Sequence, residues 1–186
     1  MPRLFAGLEI PADAVEKLSW LRGGLPGARF LDPGNYHLTL RFIGDVDGAT
    51  AHDVDAALAD IRTRLAVPVT FDALDTFGGD RPHALIVRAR PDRALLELQA
   101  EIERALRRAG LEPERRKFVP HVTLARLRQV APRDVAALIA GRGRFVSFGF
   151  EADRVALFSA REGVGGGPYI VEAEYPFSGM SALALR

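Results

Sequence analysis

The chain has 186 residues, is 48% hydrophobic and 26% charged, and carries a formal net charge of +1. That balance belongs to a folded globular protein and excludes a disordered polyanionic or polycationic chain. Cysteine is absent, which removes disulfides, thiolate metal sites and a cysteine nucleophile; no apolar run approaches the roughly 18–20 residues of a membrane helix.

The start, MPRLFAGLEIPAD, lacks the pattern of a signal peptide, so the expected location is the cytoplasm with no membrane partner. LFAGLEI (4–10) is apolar and closes at Pro11, which predicts a strand. Asp13 can cap a helix running to about Leu21, which Gly23-Gly24 stops. NYHLTLRFIG (35–44) shows the clearest alternation in the chain and predicts a second strand, ended by Gly44 and Asp45. Thr50 can cap the next helix, where Val54, Leu58, Ile61 and Leu65 recur every three or four residues. VPVTFDALDTF (67–77) predicts a third strand.

The order then repeats. ALIVRA (84–89) predicts a strand, and Asp92 can cap a helix with Leu95, Leu98, Ile102 and Leu106 on one face, ended by Gly110. FVPHVTLARL (118–127) predicts a strand; Pro132 and Asp134 open a short helix with Val135, Leu138 and Ile139. RFVSFGFEADRVALFS (144–159) is strand-like, and PYIVEAEYPF (168–177) predicts a closing strand after a glycine run. The fold class is therefore α+β: two duplicated β-α-β-α-β halves, about 4–78 and 84–160, in one two-lobed domain over 1–186. Antiparallel sheets should line a central cleft. Helices with a single apolar stripe should cover the outer faces.

HLTL at 37–40 and HVTL at 121–124 fall on the second strand of each half and use two of only four histidines. On a strand, residues i and i+2 share a face. His37 and Thr39 therefore share one face, as do His121 and Thr123, while Leu38, Leu40, Val122 and Leu124 share the other. The apolar sets belong in the core, so the polar pairs must face water or a cleft. Related halves can bring them together as two imidazoles and two hydroxyls. Two imidazoles titrating near neutrality can divide acid and base work, and two hydroxyls can hold the oxygens of a tetrahedral anion. That set suits water attacking phosphorus while an alkoxide leaves. The residues alone leave open which histidine plays which role. No metal-ligand motif such as HExxH is present, so no metal or other cofactor is expected.

Two rival readings use the same residues. One is a module that holds phosphate ends without turnover; the other is a metal hydrolase with His37 and His121 as ligands, for which no carboxylate partner is visible. His52 and His83 read as exposed or structural. The basic clusters Arg104/Arg107/Arg108 and Arg115/Arg116/Lys117 fit either a solvated helix face plus a loop or a phosphate-attracting rim. By alternation Arg41 falls on the His37 face and reads as a rim residue. Phe5 and Tyr36 are set aside as core rather than base-stacking residues. The glycine-rich REGVGGGP (161–168) lacks the pattern of a phosphate-binding P-loop and reads as a hairpin loop.

RLFAGLEIP, NYHLTLRFIGDV, FVPHVTLARL and the C-terminal YIVEAEYPF resemble the RNA 2′,3′-cyclic phosphodiesterases, the LigT-like members of the two-histidine phosphoesterases. The resemblance spans nearly the whole chain. It implies a bilobal α+β fold with both motifs in a central cleft, and metal-independent hydrolysis of a terminal 2′,3′-cyclic phosphate to a 2′-phosphate. It implies that His37 is the proton donor, that His121 is the proton acceptor, and that Thr39 and Thr123 bind phosphate. The partners implied are RNA ends, tRNA fragments and small cyclic nucleotides; relatives are also associated with 2′–5′ joining of tRNA halves. Separately, the chain is expected to be a monomer. Arg126 follows HVTLA where the family commonly has Arg, which implies a substrate contact. Strict alternation puts it opposite His121 unless the strand bulges. The segment 75–90 lacks the Trp that relatives often carry there.

Overall fold

A computed structural model describes residues 3–61, 65–142, 145–160 and 167–179. Its elements run β1 (Arg3–Glu9), α1 (Ala12–Ser19), β2 (Arg29–Phe30), β3 (His37–Asp45), α2 (Gly48–Ala59), β4 (Val67–Phe77), β5 (Ala84–Ala89), α3 (Arg93–Arg108), β6 (His121–Arg126), α4 (Pro132–Gly141), β7 (Phe148–Ala152), β8 (Arg154–Ala160) and β9 (Tyr169–Pro176). Most of the loop 161–168 lies outside the described residues.

The strands form two sheets, ordered β3-β1-β8-β9 and β2-β6-β5-β4-β7. All neighbouring strands are antiparallel. The α+β class with duplicated halves and two antiparallel sheets is what the strand and helix patterns predict. The lobes, however, are not contiguous stretches of sequence. β4, the third strand of the first half, pairs with β5 and β7 in the sheet of the second half. β8 pairs with β1 in the sheet of the first half. The single run 144–159 is thus two strands broken at Asp153, one in each sheet.

Local signals placed most elements. In α3, Leu95, Leu98, Ile102 and Leu106 are all buried, each contributing about 1.5–3 kcal/mol relative to an exposed side chain. Helix starts differ from expectation. Asp47, not Thr50, caps α2: its carboxylate accepts from the Thr50 backbone N–H at 2.8 Å, because its extended backbone puts the carboxylate over the first turn. α1 begins after Pro11, with Asp13 inside its first turn, and stops at Ser19. α2 ends at Ala59, so Leu65 lies past it and is exposed. Asp92 occupies the cap position of α3 without a side-chain bond. Strand β2 has two residues and no periodic signal; it exists because it pairs with β6.

One continuous core joins both sheets to the helices, with Leu38, Leu40, Val122 and Leu124 beside Val54, Leu58, Leu95 and Ile102. Among the described residues no helix is long and apolar enough to cross a membrane.

Candidate active site

With Leu38, Leu40, Val122 and Leu124 in the core, His37, Thr39, His121 and Thr123 turn to the other side of their strands. All four line one cleft of about 1200 Å³. On the first sheet, Glu9 lies opposite His37 and Gly7 opposite Thr39. The strands approach closely there: a Cβ on Gly7 would sit 2.7 Å from the Leu38 carbonyl oxygen. On the second sheet, Arg88 lies opposite His121 and Ile86 opposite Thr123.

Each motif strand carries a bulge at the same place. Ala6 pairs with Arg41 and Gly7 with Thr39, so Leu40 has no partner on β1. Leu85 pairs with Ala125 and Ile86 with Thr123, so Leu124 has none on β5. A bulge inserts one residue and resets alternation. Residues 40 and 41, and 124 and 125, are consecutive buried pairs, and 42 and 126 return to the histidine face. Arg126 therefore lines the cleft with His121, although strict alternation sends it away. Arg41 is the corresponding correction: it is no exposed rim residue but a buried one. It lines the cleft but is only 7% exposed, because its guanidinium donates to Glu103 and to the carbonyls of Phe42 and Glu112.

The two imidazoles are held alike. His37 Nδ1 lies 2.8 Å from the Asn35 carbonyl oxygen and His121 Nδ1 lies 2.6 Å from that of Val119. A carbonyl only accepts, so Nδ1–H donates in both rings. Each Nε2 is left without a protein partner among the described residues. Aromatic rings fix the ring planes. Phe5 lies 4.7 Å from His37 and Tyr169 packs edge-on at 4.6 Å; Phe77 packs edge-on against His121 at 4.7 Å. The Asn35 side chain accepts from the Tyr169 N–H at 3.2 Å, which ties the start of β9 to the start of β3.

Burial pushes His37 down to about 4; its bond to the Asn35 carbonyl opposes this, and the charges of His121 and Arg126 reinforce it. Burial also lowers His121, again opposed by a backbone carbonyl and reinforced by Arg126. The free cleft therefore favours two neutral rings. An anion between them reverses the sign, because it stabilises the imidazolium and not the neutral ring.

His83 is exposed in its turn at the cleft rim, and His52 is exposed on α2. Phe5 is 1% and Tyr36 5% exposed, so both are core. Among the described residues no group of three or more His, Asp or Glu side chains is placed to hold a metal ion. Alternation gave no hint of Asn35, Tyr169 or Phe77, whose places depend on pairing between distant strands.

The model of a family described as LigT like Phosphoesterase matches residues 8–87 and again 86–169. An RNA 2′,3′-cyclic phosphodiesterase of Aquifex aeolicus is 30% identical over 156 residues, 81% of this chain and 82% of that protein. One of Bacillus subtilis is 29% identical over 130 residues, 67% of this chain and 71% of that protein. Among solved structures, a protein of Thermus thermophilus superposes with a TM-score of 0.78 at 20% identity, covering 95% of this chain and 98% of that one. Escherichia coli LigT complexed with 3′-AMP superposes with a TM-score of 0.73 at 22% identity, covering 96% and 99%. At those identities the structures establish the shared fold.

Proposed function

The chain belongs to the LigT-like phosphoesterases, and from that premise we propose that it hydrolyses 2′,3′-cyclic phosphates of RNA ends and nucleosides to 2′-phosphates without a metal. The observation that carries this reading is the pairing of two His-x-Thr strands on one cleft, both rings presenting a free Nε2, with Arg126 brought beside them by the bulge.

In the reaction, His121 Nε2 takes a proton from water as its oxygen attacks phosphorus. The P–O3′ bond breaks, and His37 Nε2–H gives its proton to the leaving O3′. The products are a 2′-phosphate and a free 3′-hydroxyl. Thr39, Thr123 and the Arg126 fork hold the non-bridging oxygens as their charge grows. The division of roles between the two histidines is the one that the resemblance in sequence implies; the geometry would serve either assignment. A 5′-hydroxyl in place of water would make a 2′–5′ linkage by the same two proton transfers. The working form is a cytoplasmic monomer acting on RNA or small cyclic nucleotides.

Substrate sets the protonation state. With both pKa values lowered in the free cleft, kcat/KM is expected to be bell-shaped with its maximum below the ordinary histidine value of about 6.5. The bound phosphate raises both pKa values, so the bell in kcat lies at higher pH than that in kcat/KM. The test uses a nucleoside 2′,3′-cyclic phosphate in excess EDTA, with pH profiles and product analysis. Turnover to the 2′-phosphate with that displacement is expected. Binding without turnover, or turnover abolished by EDTA and restored by a metal, overturns the reading.

A further inference from the structure

The cleft extends past the phosphate-facing residues. It runs along β3 past Phe42 to Gln99, Arg116 and Lys117. Phe42 occupies on β3 the position that Arg126 occupies on β6, five residues after the histidine and just past the bulge. The two walls thus differ: a cation on one, a flat ring on the other. Phe42 is 41% exposed. Its ring stacks at 6.0 Å and 10° on Phe5, which stacks at 4.9 Å and 7° on Phe158. The ring is backed by this stack and partly exposed in the cleft, the form a base-stacking platform takes.

Beyond Phe42 the wall is pinned to α3. Arg41 bonds Glu103 and the Glu112 carbonyl. Glu103 accepts from the Glu114 N–H at 3.1 Å, and Glu114 pairs with Arg116 at 2.9 Å. Arg107 lies one helical turn after Glu103. With Arg104 and Arg108 it forms an exposed basic cluster on the last turns of α3. Among the described residues, Arg104, Arg107, Arg108, Arg115 and Lys117 have no carboxylate partner. The dipole of α3 favours cations in its last turn, but that does not account for Arg115 and Lys117 on the segment leading back to the cleft.

We propose that an RNA strand whose cyclic end lies in the cleft stacks its terminal base on Phe42, leaves over residues 115–117, and rests its upstream phosphates on Arg104, Arg107 and Arg108. This rests on the cyclic-phosphate reading of the same site. Guanidinium forks suit phosphate oxygens, and a basic groove that begins at an aromatic face is a common way to hold single-stranded RNA.

The test compares two substrates, a nucleoside 2′,3′-cyclic phosphate and a single-stranded oligoribonucleotide of about ten residues ending in the same group. The triple variant Arg104→Gln/Arg107→Gln/Arg108→Gln keeps good helix formers on α3. It is expected to raise KM about tenfold for the oligonucleotide and to flatten its log–log salt dependence by about 2, three phosphate contacts at about 0.7 each. The nucleoside, too short to reach α3, keeps its kinetics. Phe42→Leu, which removes the flat face, raises KM for both substrates. The double variant Arg93→Gln/Arg133→Gln, away from the track, changes neither. An oligonucleotide KM and salt slope left unmoved by the triple variant overturn the track while the hydrolase reading stands. Wild-type protein that turns over neither substrate overturns both.

Discussion

Replacing His37 with alanine lowers kcat on a nucleoside 2′,3′-cyclic phosphate by about 10²–10⁴-fold, and His121→Ala does the same, the range expected for one lost proton transfer. The geometry gives each ring a separate task. Both Nδ1 atoms are committed to backbone carbonyls, so each ring has one nitrogen for chemistry, and neither can cover both sides of phosphorus. The two act as a unit, so the double variant should fall well short of the product of the single losses. Removing the His37 ring also empties space between Phe5 and Tyr169. Melting temperature is therefore measured beside the kinetics, and His37→Gln, which keeps bulk without an acid, should be as slow as His37→Ala. Turnover within tenfold of wild type for either alanine variant contradicts the two-imidazole mechanism.

Arg41→Met is expected to destabilise the protein by about 3 kcal/mol, because removing one partner of a buried ion pair strands the other charge. Glu103 would keep its bond from the Glu114 N–H but lose the guanidinium that neutralises it. The Glu112 carbonyl would lose its donor. For a chain of this length the melting temperature should drop by about 6–12 °C. Thermal denaturation of the variant checks this, and a drop below about 2 °C contradicts the buried pairing. The same variant should loosen the 112–117 segment, since Arg41 is its link to β3.

Arg41 and Arg126 also mark where legibility in the sequence stops. Alternation placed His37 with Thr39 and His121 with Thr123 because each pair is two residues apart, inside the reach of one uninterrupted strand. It misplaced Arg41 and left Arg126 conditional because the bulges at Leu40 and Leu124 exist only in the pairing with β1 and β5. β4 and β5 matched their predicted ranges to the residue, since their apolar runs stop at glycine or proline. The exchange of third strands was invisible: β7 and β8 are one residue apart in sequence, and nothing in their composition names the sheet each joins. Thr50 was the expected cap of α2, but Asp47, three residues earlier, holds that place because its carboxylate reaches the Thr50 N–H. Tyr169 reached His37 only through the docking of β9 on β8.

The most direct measurement is a crystal structure with a nucleoside 2′-phosphate bound. Both Nε2 atoms are expected within about 2.6–3.2 Å of phosphate oxygens, on opposite sides of the phosphorus, with Thr39 and Thr123 on the remaining oxygens. A phosphate held by one ring alone, or seated away from both, contradicts the shared acid–base site.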